Sequence, residues 1–287
     1  MLHDARPLKL TAVFFILTLV TMSCSFPLFP QPLAVQAVPL ESEPAGWVYE
    51  SISTPVSTVS PARSPQIVFQ NDSSGHFDLF IMPADGSAPP RNLTNHPASD
   101  VAASCSPDGQ WITFISNRAD EDAVYLMDIT GQNVRRVVSF PSALAKASTW
   151  LDAQTVLVLE DGGPSHRKMY LVDLSANRLE EFPGEVEIFF DIIPSPQKDA
   201  WLEVELESEG DLFDYEIFLY DASGAHQLTN NVKQWDLTPV WSPDGNLILF
   251  SSEMDGDAEL YIMNRKGEIQ TRLTDNQDRD LVSCWIR

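Results

Sequence analysis

Positive charge is what this sequence has least of. Its 287 residues carry 18 lysines and arginines against 41 aspartates and glutamates, a formal net charge of -23. A polyanion would be repelled over most of such a surface, so nucleic acid is excluded as a partner, while basic proteins and divalent cations remain open. Cysteine is scarce as well, with three in the chain. Long apolar runs are missing: the longest, Leu10 to Val20, is broken by Thr11 and Thr18 and is too short for a comfortable membrane span. No His-Glu-x-x-His, Cys-x-x-Cys, Gly-x-Ser-x-Gly or Gly-rich phosphate loop occurs, so zinc, nucleophile-elbow and nucleotide chemistry have no motif to stand on. Hydrophobic residues nevertheless make up 44% and aromatics 10%, enough for a sizeable core.

The short apolar run has its own meaning. Arg6 and Lys9 precede it, which is the layout of an export signal. It ends in Thr21-Met22-Ser23-Cys24, and a small residue before a cysteine resembles a bacterial lipobox, although Thr21 and Met22 depart from that pattern. The resemblance implies that the Cys24 thiol is acylated and becomes the mature N-terminus. The alternative is ordinary cleavage after Ala37, in Val35-Gln36-Ala37. Residues 1–24 are thus expected as a lipoprotein-type signal peptide. Residues 25–63, with prolines at 27, 30, 32, 39, 44, 55 and 61, are expected as an extended tether. Cys105 and Cys284 lie in apolar strand contexts and are expected as buried free thiols, since a core of this size needs no staple.

From residue 64 to 287 a repeat in the forties dominates. An aromatic recurs at Phe80, Tyr125, Tyr170, Phe218 and Tyr261, each inside a short apolar strand, with Pro83, Asp128, Asp173, Asp221 and Asn264 three residues on. Gly or Asn follows to supply a hairpin's positive φ. A second anchor runs in step: Ser106-Pro107-Asp108-Gly109 and Ser242-Pro243-Asp244-Gly245 are turns, with degenerate copies at Leu151 to Gln154 and Ser195 to Lys198. Each turn precedes an apolar strand and follows one that ends in Cys105, Trp150, Trp241 or Trp285. Four short strands per unit is the arithmetic of a propeller blade, which predicts an all-β fold.

Leu228-Thr229-Asn230, Asp236, Trp241 to Gly245 and Leu260 to Asn264 together resemble the TolB-like, WD40-like repeat family. Leu93-Thr94-Asn95 with Asp100, and Leu273-Thr274-Asp275 with Asp280, repeat its opening. The resemblance implies a β-propeller of four-stranded blades. Five sets of repeats and the orphan strand Asp280 to Trp285 predict five blades, closed by that C-terminal strand on the first blade; relatives suggest six, with residues 46–60 contributing.

Asp100, Asp236 and Asp280 share one position, five residues before Cys105, Trp241 and Trp285. The resemblance places them on the innermost strand near the axis. There they either face a ligand at the channel mouth or accept hydrogen bonds from an adjoining turn. Glu203, Glu205 and Glu207 alternate with Leu202, Val204 and Leu206, so the carboxylates form the solvated side of a strand or an anionic ridge for a basic partner. Asp120-Glu121-Asp122 and Asp255-Gly256-Asp257 offer calcium-type oxygens without the spacing of a known loop, and His76, His96, His166 and His226 fall in separate hairpin loops. No cofactor or metal is expected.

The repeats fill the chain to the point that no hydrolase domain is expected beside them. The expected function is a non-catalytic, monomeric binding module of the cell envelope, exported or lipid-anchored at Cys24, that holds a protein, peptide or glycan on one rim. The alternative is a five-bladed glycan hydrolase using the axial carboxylates.

Overall fold

The computed structural model describes residues 65–286, apart from 141–143, 163–166, 177, 183–192, 210–211 and 232–233. The signal peptide, Cys24, the Ala37 cleavage site, the tether, residues 46–60 and His166 lie outside the described residues.

Twenty short antiparallel strands form five four-stranded sheets. In chain order, blade 1 contributes β1 (Gln66–Asn71), β2 (Asp78–Pro83) and β3 (Arg91–Asn92). Blade 2 is β4 (Asp100–Cys105), β5 (Trp111–Ser116), β6 (Ala123–Asp128) and β7 (Arg135–Ser139). Blade 3 is β8 (Leu144–Trp150), β9 (Thr155–Asp161), β10 (Arg167–Asp173) and β11 (Arg178–Glu181). Blade 4 is β12 (Ile193–Pro194), β13 (Ala200–Glu209), β14 (Leu212–Asp221) and β15 (Gly224–Gln227). Blade 5 is β16 (Asp236–Trp241), β17 (Leu247–Ser252), β18 (Glu259–Asn264) and β19 (Ile269–Arg272). The last strand, β20 (Asp280–Ile286), pairs antiparallel with β1 and completes blade 1. The chain is a five-bladed β-propeller, clasped by its C-terminal strand as the repeats predict.

The blades stack because the middle strands of blades 1, 2, 3 and 5 bury apolar side chains on both faces, whereas β13 of blade 4 does so on one. Phe114 and Ile112 of blade 2 pack against Val68 and Leu79 of blade 1, while Ile115 and Val124 on the opposite face pack against Val156 and Val158 of blade 3. Leu202 and Ile217 of blade 4 meet Ile248 and Phe250 of blade 5, whose other face meets Ile67 and Phe69. Fully burying one such side chain is worth about 1.5–3 kcal/mol, so each of these four junctions is a core in its own right.

The predicted turns form as read. Gly109 and Gly245 both have φ of 65°, and each donates its N–H to the serine carbonyl three residues back. Ser106 Oγ and Ser242 Oγ bond the aspartate two residues on, each at 2.6 Å. The eroded copy at Ser195 makes the same turn with Lys198, a non-glycine, at φ 60°.

One expectation is corrected. Cys105 and Cys284 form a disulfide, 179 residues apart in sequence, joining the innermost strands β4 and β20 of adjacent blades. At the same level Trp150, Trp241 and Trp285 donate their indole N–H to Ser104, Ile193 and Val240 carbonyls of the preceding inner strand, at 3.0, 3.0 and 3.4 Å. Cys105 stands where the other repeats carry that tryptophan, so the disulfide replaces a hydrogen bond as the tie between inner strands. Ring closure, rather than core size, gives the staple its place.

Candidate functional site

The repeat signature Leu-Thr explains how successive blades are joined on one face of the ring. Thr94, Thr229 and Thr274 follow the outer strand of blades 1, 4 and 5. Their hydroxyl oxygens accept N–H bonds from Leu79, Ile217 and Leu260 at 3.1, 2.9 and 2.9 Å. Directly beside each lies a buried acid of the third strand: Asp78 and Glu259 at the start of β2 and β18, and Glu216 within the longer β14. Each accepts the N–H of the residue two beyond the threonine, from His96, Asn231 and Asn276.

The predicted axial aspartates sit next to these acids, on the first strand of the following blade. Asp100, Asp236 and Asp280 are all 0% exposed, so in this conformation none presents an oxygen to the channel. Arg118 neutralises Asp100 through Nη2, at 2.9 and 3.0 Å. Asp280 accepts Asn71 and Asn276 side-chain amides, both at 2.7 Å. Burial pushes the Asp280 carboxyl up to about 6, and nearby Glu259 adds to the rise. Asp236 accepts Asn231 Nδ2 at 2.8 Å, and its carboxyl is likewise held above its usual range by burial.

Blade 4 departs from its siblings above this row. β13 and β14 run ten residues each, whereas the middle strands of blades 1, 2 and 5 have six. Leu202 and Ile217 are covered by blade 5, but the hairpin outgrows that cover, and Leu206, paired with Tyr215, is 54% exposed. Trp235, just before β16, is 44% exposed and meets Tyr215 edge-on, ring centroids 5.6 Å apart. Leu206, Tyr215 and Trp235 therefore form an apolar, aromatic patch; sequence alternation sets Leu206 with Leu202 and Val204, opposite the glutamates.

The carboxylates of the same hairpin are not a freely solvated ridge. Glu203 accepts the Trp201 indole N–H at 2.7 Å, and Glu205 accepts the Tyr220 hydroxyl. Burial and then that bond push the Tyr220 phenol up. The side chain of Glu207 lies outside the described residues.

A pocket of about 510 Å³ opens on the opposite rim, between the outer hairpins of blades 4 and 5. Asp221, Ser223, His226, Arg265 and Lys266 help line it. Ser223 Oγ and Asp221 Oδ1 approach the same ring nitrogen of His226, Nε2, at 2.8 and 3.3 Å. A hydrolytic relay needs the serine and the acid on different imidazole nitrogens, so this trio is a hairpin brace rather than a triad. Ser223 bonds hold Asp221 down at about 2. Of the other histidines, His76 lies 3.8 Å from Asp78, and His96 accepts the Ala98 N–H. Among the described residues, no group of three or more His, Cys, Asp or Glu is arranged to hold a metal ion. Asp255, in one of the two acidic loops, is paired with Arg272 at 2.9 Å.

No family model matches the chain. It is 33% identical over 85 residues to the uncharacterized peptidase YuxL of Bacillus subtilis, a stretch that is 29% of this chain and 13% of that protein. Among solved structures it is similar to TolB from Acinetobacter baumannii, at 19% identity and a TM-score of 0.43, over 73% of this chain and 52% of TolB. It is also similar to Kuenenia stuttgartiensis hydrazine synthase, at 11% identity and a TM-score of 0.53, over 77% of this chain and 47% of the other. The chain thus spans about half the length of these solved structures and a small part of the curated relative. These likenesses concern the propeller fold.

Proposed function

We propose that the chain is a non-catalytic binding module of the cell envelope, which docks a basic, apolar segment of a partner protein on the face carrying the blade 4 hairpin. The observation that carries this reading is the open patch of Leu206, Tyr215 and Trp235. Exposed aromatics of this kind are typical interface anchors. Charge complementarity selects the occupant: the patch lies on a chain of net charge -23, and the carboxylates of Glu205 and Asp214 line the other face of the same hairpin.

The Cys105–Cys284 disulfide supports an oxidising compartment, in line with the export signal, since such bonds are rare in the cytosol. On this reading Cys24 carries the lipid, residues 25–63 are the tether and residues 64–287 are the binding domain, acting as a monomer.

The test is a binding titration with a labelled peptide of alternating lysine and leucine, against a control with glutamate for lysine. Binding to the wild type, at least tenfold weaker in Trp235→Ala and weakened by salt, is the expected result. Equal binding of the acidic control, or no effect of Trp235→Ala, overturns the reading. Palmitate labelling that is lost in Cys24→Ala would support the anchor.

A further inference from the structure

The docking patch stands directly on a pair of buried acids. Tyr215 and Glu216 are consecutive on β14, and Trp235 and Asp236 are consecutive at the start of β16. Side chains alternate along a strand, so the two rings meet outside while the two carboxyls meet inside. An isolated parallel bridge between Tyr215 and Trp235 ties the two backbones at this point.

A single residue, Asn231, binds both acids. Its N–H donates to Glu216 Oε1 at 2.7 Å and its Nδ2 donates to Asp236 Oδ2 at 2.8 Å. The remaining oxygens, Glu216 Oε2 and Asp236 Oδ1, are buried and receive no donor among the described residues. Two ionised carboxylates held together away from water would repel strongly, and each would also leave an oxygen unsatisfied. One proton placed between the orphan oxygens removes both problems.

Among the described residues, nothing charged nearby offers another remedy; Lys233 lies outside them. Asp214 lies on the same strand, Glu205 faces Glu216 from β13, and Glu259 continues the row Asp236–Ser252 into β18; Glu253 follows β17. All are acidic, and among the described residues no lysine, arginine or histidine forms an ion pair with either carboxyl. The corresponding acid between blades 1 and 2, Asp100, has Arg118 instead.

We propose that Glu216 and Asp236 share one proton across the junction of blades 4 and 5, and that its loss to solvent base releases the Tyr215–Trp235 contact, so that the docking face is gated by acid. This rests on the reading of that face as a docking surface, but the gate itself is tested without a partner. Burial raises the titration of both groups, and the charge of Asp236 adds to the rise at Glu216, while the hydrogen bond between the two carboxyls draws Asp236 part of the way back. A raised carboxyl favours the folded junction fully below the unfolded value and loses that contribution as pH rises through the folded one.

The experiment uses the full chain between pH 4.5 and 8.5, in chelator. Infrared absorption reports the protonated carboxyl, and the fluorescence difference between wild type and Trp235→Phe isolates Trp235. The expected result is a protonated-carboxyl band and a Trp235 signal that titrate together in the wild type. In Glu216→Gln, whose amide supplies the missing donor, both transitions are lost; Asp236→Asn gives the same loss if the first variant folds poorly. Superimposable profiles in wild type and variants overturn the proposal. So does recovery of the Trp235 signal at pH 8 on adding calcium, which would make the pair a cation site. Peptide binding plays no part in these readouts, so a failed docking surface and a failed gate are told apart.

Discussion

Cys105 of β4 is bonded to Cys284 of β20, and it occupies the repeat position that Trp150, Trp241 and Trp285 fill elsewhere in the ring. The clasping strand is therefore held on both sides. It pairs with β1 within its own blade, and it is covalently tied to the blade that follows.

Reduction of this bond is expected to cost about 2–4 kcal/mol, the usual contribution of a staple that closes a long loop. Urea unfolding with and without dithiothreitol, compared with the double variant Cys105→Ser/Cys284→Ser, measures it. The reduced wild type and the variant should unfold at the same lower midpoint. Equal stability of oxidised and reduced protein would show that the tie is redundant with strand pairing.

Lys198 occupies a left-handed turn position, φ 60°, that glycine fills at Gly109 and Gly245. A non-glycine residue there pays roughly 1–2 kcal/mol, partly offset by glycine's greater freedom in the unfolded chain. Lys198→Gly is expected to stabilise the protein by about 0.5–1 kcal/mol, read as a higher melting temperature. A decrease would mean that the lysine side chain makes a contribution of its own.

Gly267 tests the seam between blades 4 and 5. A Cβ there would lie 2.4 Å from the Leu228 carbonyl oxygen, with the backbone at φ +79°. Gly75 has a similar φ of +83° but open space around it. Gly75→Ala therefore reports the cost of the conformation alone, and Gly267→Ala should lose at least about 1 kcal/mol more in denaturant unfolding. Equal losses would refute the close approach.

The Asp280 carboxyl, pushed to about 6 from an ordinary 3.8, binds a proton on folding. Its contribution is complete below about pH 3.8 and disappears as pH rises through about 6. Asp72, Asp128, Asp173 and Asp244 are shifted the other way, and their contributions are lost as pH falls through their lowered values. Asp280→Asn should accordingly be more harmful at pH 4 than at pH 8, in paired melting curves. A pH-independent difference would contradict the shift.

The blade count and its closure were legible because most middle strands are buried on both faces, which leaves continuous apolar runs such as Leu247–Phe250 between turn residues with fixed backbone needs. The outer strands were not. β15, Gly224–Gln227, is exposed along its whole length, and β3 has two residues, so neither bears a hydrophobic period. The disulfide had a signal that was there to be used. Cys105 aligns with Trp285, and strand closure places β20 beside β4, which brings Cys284 within reach. Burial of Asp100, Asp236 and Asp280 was not readable, since it depends on Arg118, Asn71, Asn231 and Asn276 arriving from other elements. Exposure of Leu206 was not readable from alternation, because a period says which side a residue faces, not where its neighbour ends.

The pairing of β20 with β1 also sets a timetable. These strands are separated by more than two hundred residues, and contacts of such range form late. Until residues 280–286 have been made, the edge of β1 is open to any other strand that can pair with it. The growing chain therefore passes through a period of exposure to intermolecular pairing that ends only once β20 has been made, and chaperone cover during that interval would shape how much of it reaches the closed ring.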